Sequence, residues 1–149
     1  MSTRSATIIR QTTYRGEEAD SEELMRFYRH CDGYPEVHGI DLASSVMIAD
    51  QSKVAPELWV QGFLSDLLNL NISVEFEPQG WQHGDIEYLY VVEGIFDKRW
   101  GRTIGGKLPI IISIYKTGFD EDYGVVMERE PLFSGTAYEL ADRYLNKED

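Results

Sequence analysis

Apolar and polar positions change period along the chain, and each change predicts a new element. Residues 6–14 (ATIIRQTTY) are rich in β-branched side chains. Residues 23–30 alternate Met25, Phe27 and then Cys31 with Arg26, Tyr28 and His30, so both stretches read as strands. The polar stretch 15–21 between them reads as a turn or loop closing a hairpin, and Asp32-Gly33-Tyr34-Pro35 ends the second strand with turn chemistry. Helical spacing follows. Ile40, Ala43 and Met47, with Leu42, Val46 and Ala49, predict a short helix over 40–50. Val60, Phe63, Leu64, Leu67 and Leu68 then recur at i, i+3, i+4, i+7 and i+8 within 56–70. Pro56 suits the first helical position, where its missing N–H has no partner to lose, and Asn69 and Asn71 suit the helix end. Period two returns at Ile72, Val74 and Phe76, and again over 87–93 (EYLYVVE), with Tyr88, Tyr90 and Val92 on one face and Leu89 and Val91 on the other. Residues 108–115 (LPIIISIY) are apolar on both faces, as in a central strand that opens at Pro109, and a further strand is expected over 125–129. Residues 134–145 close with a helix carrying a capping box from Thr136 to Glu139.

The order is an N-terminal β-hairpin, two helices, three to four mostly antiparallel strands and a C-terminal helix. Strand and helix runs are segregated, which predicts an α+β fold. No repeat or linker interrupts the 149 residues, so a single domain is expected, with residues 1–5 disordered and 146–149 frayed. A chain of this size buries about 70% of its extended-chain surface and needs no staple. The single cysteine, Cys31, excludes an intramolecular disulfide framework. No apolar run approaches the roughly 18 residues of a membrane span, and residues 1–6 lack a signal-like apolar stretch, so a cytoplasmic location is the expectation.

Charge adds a partner class. The net charge is −12, and it is uneven. Residues 1–30 balance five arginines against five acids, whereas residues 31–97 hold twelve acids and only Lys53, a local −11. Lys98, Arg99, Arg102 and Lys107 then form a basic island around Trp100. So negative a chain repels phosphate backbones, which argues against generic nucleic-acid or anionic-membrane binding. Its acidity serves solubility on one reading and docks a basic partner on the other.

Candidate chemistry is sparse. Residues 101–108 (GRTIGGKL) approach a phosphate-binding loop, but Leu108 stands where a hydroxyl is needed and a strand follows instead of a helix. Trp100 among its bases resembles a small stacking patch. His30, Asp32, His38 and Asp41 are close in sequence, yet neither they nor His83 fall in a metal-ligand spacing. Cys31 beside His30 points to the opposite strand face, and Asp32 disfavours its thiolate, so Cys31 reads as a small buried hydrophobe. No nucleophile, base and oxyanion stabiliser assemble; no catalytic residue, metal or cofactor is assigned, and the protein leans away from being an enzyme.

The turn at 28–39 is the most informative segment. A helix N-terminus there offers free N–H groups to an anion, with Arg29, Asp32, Tyr34, His38 and Gly39 as candidate ligand-binding residues. The competing reading is a strand-to-helix turn in which Asp32 bonds to backbone N–H groups and Tyr34 packs. The string YRHCDGYP at 28–35 resembles a turn carried by a group of small phage and prophage-type bacterial proteins. In those proteins it precedes two helices and aromatic-rich strands. This chain departs from the group with Cys31 before Asp32, and with Val37 and His38 before Gly39. The resemblance implies a viral or prophage-borne gene acting in a bacterial cytoplasm, and brings no activity with it.

Together these readings give a leading expectation: a non-enzymatic acidic binding protein that occupies a host protein with a basic surface, such as a nucleic-acid-handling or defence protein. Its candidate partner-binding residues are Glu75, Glu77, Glu87, Tyr88 and Tyr90. The alternative is a binder of a nucleotide or other small anion at the 32–39 turn; a small enzyme or a virion component comes third.

Overall fold

The computed structural model describes residues 3–15, 17–51, 59–70, 74–78, 85–97, 110–120, 124–127 and 130–145. Pro56, Asn71, Ile72, His83, the basic island at 98–107, the 101–108 glycine-rich stretch, Pro109 and the end 146–149 lie outside the described residues.

The fold is α+β. Strands β1 (Ser5–Arg15) and β2 (Glu18–Arg29) form the expected hairpin. A π-helical turn, Pro35–Gly39, leads into α1 (Ile40–Gln51), and α2 (Trp59–Asn69) follows. Strands β3 (Val74–Glu77), β4 (Tyr88–Asp97), β5 (Ile110–Asp120), β6 (Gly124–Met127) and β7 (Phe133–Gly135) precede α3 (Ala137–Leu145). The sheet runs β3-β2-β1-β4-β5-β6, with β7 also pairing with β5. Neighbours are antiparallel except β1 and β4, which run parallel in register from Ser5↔Tyr88 to Tyr14↔Asp97.

The two faces are filled unequally. Ile9, Phe27, Tyr90, Val92, Ile112 and Ile114 alternate along four strands and join Leu42, Val46, Trp59, Phe63, Leu67 and Leu140 from the helices in the main core. In α2 Phe63 and Leu67 of the predicted stripe are buried and Val60 and Leu64 are half-buried, but Trp59 takes the buried place one turn before Phe63 and Leu68 is exposed. The opposite face holds a smaller cluster of Ala6, Ile8, Tyr28, Ile86 and Leu89. Gly94 of β4 lets the sheet approach Trp59, since a Cβ there would lie 2.7 Å from the indole nitrogen. The capping box is formed: Glu139 N–H donates to Thr136 Oγ1 (3.2 Å), and Thr136 N–H donates to Glu139 Oε1 (3.0 Å). No helix among the described residues is long and apolar enough to cross a membrane.

Three local expectations are corrected. The stretch read as a hairpin loop is mostly strand: the ladder continues to Arg15↔Glu18, with residues 18–22 of β2 exposing polar and small side chains on both faces. Thr3, Arg4 and Ser5, expected in a disordered end, are held by Gly33 N–H donating to Thr3 O (3.0 Å), an Arg4–Asp85 ion pair and the start of β1. Ser134 and Gly135, expected in the last helix, pair with β5 instead, which buries Phe133 against the sheet.

Candidate functional site

The predicted ligand residues fall at one end of the hairpin, and most of them turn inward. Asp32 takes a left-handed backbone conformation (φ 58°), which reverses the chain after β2. Gly33 follows with its backbone against Ser5, where a Cβ would come within 2.8 Å of the serine side chain. Its carbonyl accepts a 2.6 Å hydrogen bond from the Tyr90 hydroxyl. Pro35 has no N–H, and the N–H groups of Val37 and His38 both donate to Tyr34 O (3.0 and 2.9 Å). The turn therefore consumes N–H groups that an anion at the helix start would need.

Beneath it lies a polar line inside the core. Arg29 Nη1 is 2.8 Å from Asp41 Oδ2 and 3.0 Å from His38 Nδ1, and His38 Nε2 is 2.8 Å from Thr7 Oγ1. Arginine only donates, so Nδ1 accepts and the neutral ring's Nε2–H donates to Thr7 Oγ1. Burial, and then the Arg29 charge, push His38 from 6.5 to about 3. The ring is fully buried and edge-on to Phe27 and Tyr90. It acts as a neutral peg between β1, β2 and α1, and its two nitrogens are both occupied. Gly39 is buried against Ile114, Leu140 and Pro35. Only Asp32 and Tyr34 of the five candidate residues reach the surface. Cys31, expected to be buried, is exposed beside them, because the chain leaves the sheet at His30.

The candidate partner-binding residues do not share a surface. Glu75 and Glu77 sit on β3, while Glu87, Tyr88 and Tyr90 lie three strands away at β4. Tyr90 is corrected from surface anchor to core residue: it is 0% exposed, its ring packs in the main cluster, and burial raises its phenol far above the ordinary value. Tyr88 is half-buried, with Lys116 Nζ 4.5 Å from its ring centroid. Much of the acidic stretch is engaged internally. Asp41 holds Arg29, Asp66 accepts from Ser45 (2.8 Å), Glu93 accepts from Thr12 (2.8 Å) and Glu75 lies 2.9 Å from His30. Asp85 binds Arg4 and the Tyr28 hydroxyl; burial and then this carboxylate push the tyrosine up to about 12.

A further group of solvent-exposed acids lies where the sequence balances. Glu17, Glu18, Asp20 and Glu22 are all exposed at the outer end of the hairpin. Register places Glu18, Asp20 and Glu22 on one face of β2, opposite Arg15, Thr13 and Gln11. Arg26 and Arg29, which balance the count in sequence, are buried at the inner end beside Glu23 and Asp41. Residues 18–22 (EADSE) alternate acid with small residue, a period-two signal that the reading of this stretch as a loop passes over. Compared with protein-family models, with curated proteins and with solved structures, the chain matches none.

Proposed function

We propose that this chain is a non-enzymatic acidic binding protein of phage or prophage type, which works in a bacterial cytoplasm by occupying a host protein with a basic surface. The inhibited partner is a nucleic-acid-handling or defence protein. The observation that carries this reading is the exposed acidic row on the outer half of β2, on a chain of net charge −12. Such a field speeds encounter with a basic partner and repels nucleic acid. The small-anion reading draws less support, because Arg29 is already satisfied by Asp41 and His38 and the N–H groups of Val37 and His38 are taken.

Capture from bacterial lysate, with the bound proteins identified by mass spectrometry, tests it. A basic protein should be retained at low salt and released at about 1 M, where the Debye length is about 3 Å. Capture that ignores salt, or none at all, would overturn the electrostatic interface.

A further inference from the structure

We propose that the peptide between Asp32 and Gly33 is a latent modification site, which converts to isoaspartate when the turn opens and is held shut by a clasp around Gly33. An aspartate followed by glycine is especially prone to this reaction, because glycine carries no side chain to shield its nitrogen. The Gly33 nitrogen attacks the carboxyl carbon of the protonated Asp32 side chain. A C–N bond forms, and the nitrogen's hydrogen and the carboxyl OH leave together as water. A second water then opens the resulting cyclic imide. Breaking the new bond restores aspartate. Breaking the original peptide bond gives isoaspartate, with the main chain running through the side-chain carbon. The sequence supplies the pair, and Asp32 is exposed to the water that the second step needs.

The fold blocks the first step at three points. The Gly33 N–H donates to Thr3 O (3.0 Å), so the hydrogen that must leave is turned into the chain instead of toward solvent. The Gly33 carbonyl accepts from the Tyr90 hydroxyl (2.6 Å), which ties the next peptide to a fully buried ring. Gly33 itself is buried on Ser5, whose Cβ and Oγ lie 2.8 Å from where a Gly33 Cβ would stand. Ring closure must swing the Gly33 nitrogen onto the Asp32 side chain, and that motion breaks this packing and the Thr3 hydrogen bond. The clasp is itself anchored: Arg4, between Thr3 and Ser5, pairs with Asp85 (3.2 Å), and its carbonyl accepts from Glu87 N–H (2.9 Å). The product does not fit back. Isoaspartate adds one carbon to the main chain at the left-handed reversal (φ 58°), so Gly33 no longer meets Thr3, Ser5 and Tyr90 together. A chain that has reacted therefore keeps its exposed Asp32 and Tyr34 displaced.

The rate of modification is then the rate of the open turn multiplied by the fraction of time it is open. The test follows that rate by mass in the full chain carrying Asp32→Asn, where the same ring forms with loss of ammonia. Asparagine takes the left-handed conformation as aspartate does, so the turn is kept. Deamidation at neutral pH should run at least about tenfold slower than in a free peptide of residues 28–35 with the same change. Adding Tyr90→Phe should speed it about tenfold, the equivalent of one buried hydrogen bond. Adding Ile110→Val instead, which trims the core at the far end of β5, should leave the rate unchanged. In chains that keep Asp32, fragmentation mass spectrometry should find isoaspartate at that residue sooner with Tyr90→Phe than without it. Conversion of the folded chain at the peptide's rate would overturn the clasp. So would equal acceleration by the two added changes, which would give control to global unfolding, or no acceleration by Tyr90→Phe.

Discussion

The two ends of the β1–β2 hairpin use similar residue types to opposite ends. At the inner end Ser5, Thr7, Arg26 and Arg29 are all buried. Helices and the turn cover that end, where Thr7, His38, Arg29 and Asp41 supply one another with partners. At the outer end Glu18 to Glu22 are all exposed. Burial makes the inner polar groups structural, whereas the outer ones face solvent. A carboxylate count along the chain cannot tell these fates apart.

Substitutions at the two ends should separate accordingly. The largest effect is expected from Arg29→Met, which leaves Asp41 and His38 without their shared donor in a site where Arg29 and Asp41 are 8% and 25% exposed. Urea unfolding should show a loss of about 3 kcal/mol. A loss below about 0.5 kcal/mol would mean that the inner line contributes no more than a surface pair.

The inner end also carries a pH dependence. Folding lowers the pKa of His38 from 6.5 to about 3, so between those values the unfolded chain binds a proton that the native ring refuses. Stability is therefore greatest above pH 6.5 and falls as pH drops through the window, by up to about 1.4 kcal/mol per pH unit from this group. Unfolding curves at pH 7, 6 and 5 should show this slope in the native sequence and a flatter one in His38→Gln. Equal slopes would place the ring in water.

Tyr90→Phe removes a buried donor to Gly33 O while keeping the ring. It should lower stability by about 1–2 kcal/mol, with the loss of protection concentrated at the turn in hydrogen exchange. The outer end should respond least: the triple neutralisation at Glu18, Asp20 and Glu22 is expected to change folding stability by no more than about 0.5 kcal/mol. A much larger loss would show that these acids hold the hairpin together, and the contrast between its two ends would fail.

Much of the fold is legible locally. Phe63 and Leu67 of the α2 stripe, the Thr136–Glu139 capping box and the alternation of Tyr90 and Val92 against Leu89 are periodic or short-range, and each appears as read. The Asp32-Gly33 reversal is also plain, although the left-handed residue is the aspartate. Tyr90 shows the limit. Its alternation marks a face, but only the helices packed over that face make it interior. Residues 18–22 show the converse, since their polarity conceals a strand whose exposure on both faces removes any hydrophobic alternation.

The sequence alone determined the α+β class, the hairpin, the helices and the net charge of −12, because these follow from local periodicity and composition. Only the tertiary structure decided that β1 pairs in parallel with β4, that Arg29 and His38 close on each other, and that the solvent-facing acidic row belongs to the formally balanced N-terminal segment. Strand order and burial depend on contacts between residues far apart in the chain, and those contacts set which charges meet a partner inside the fold and which remain in water.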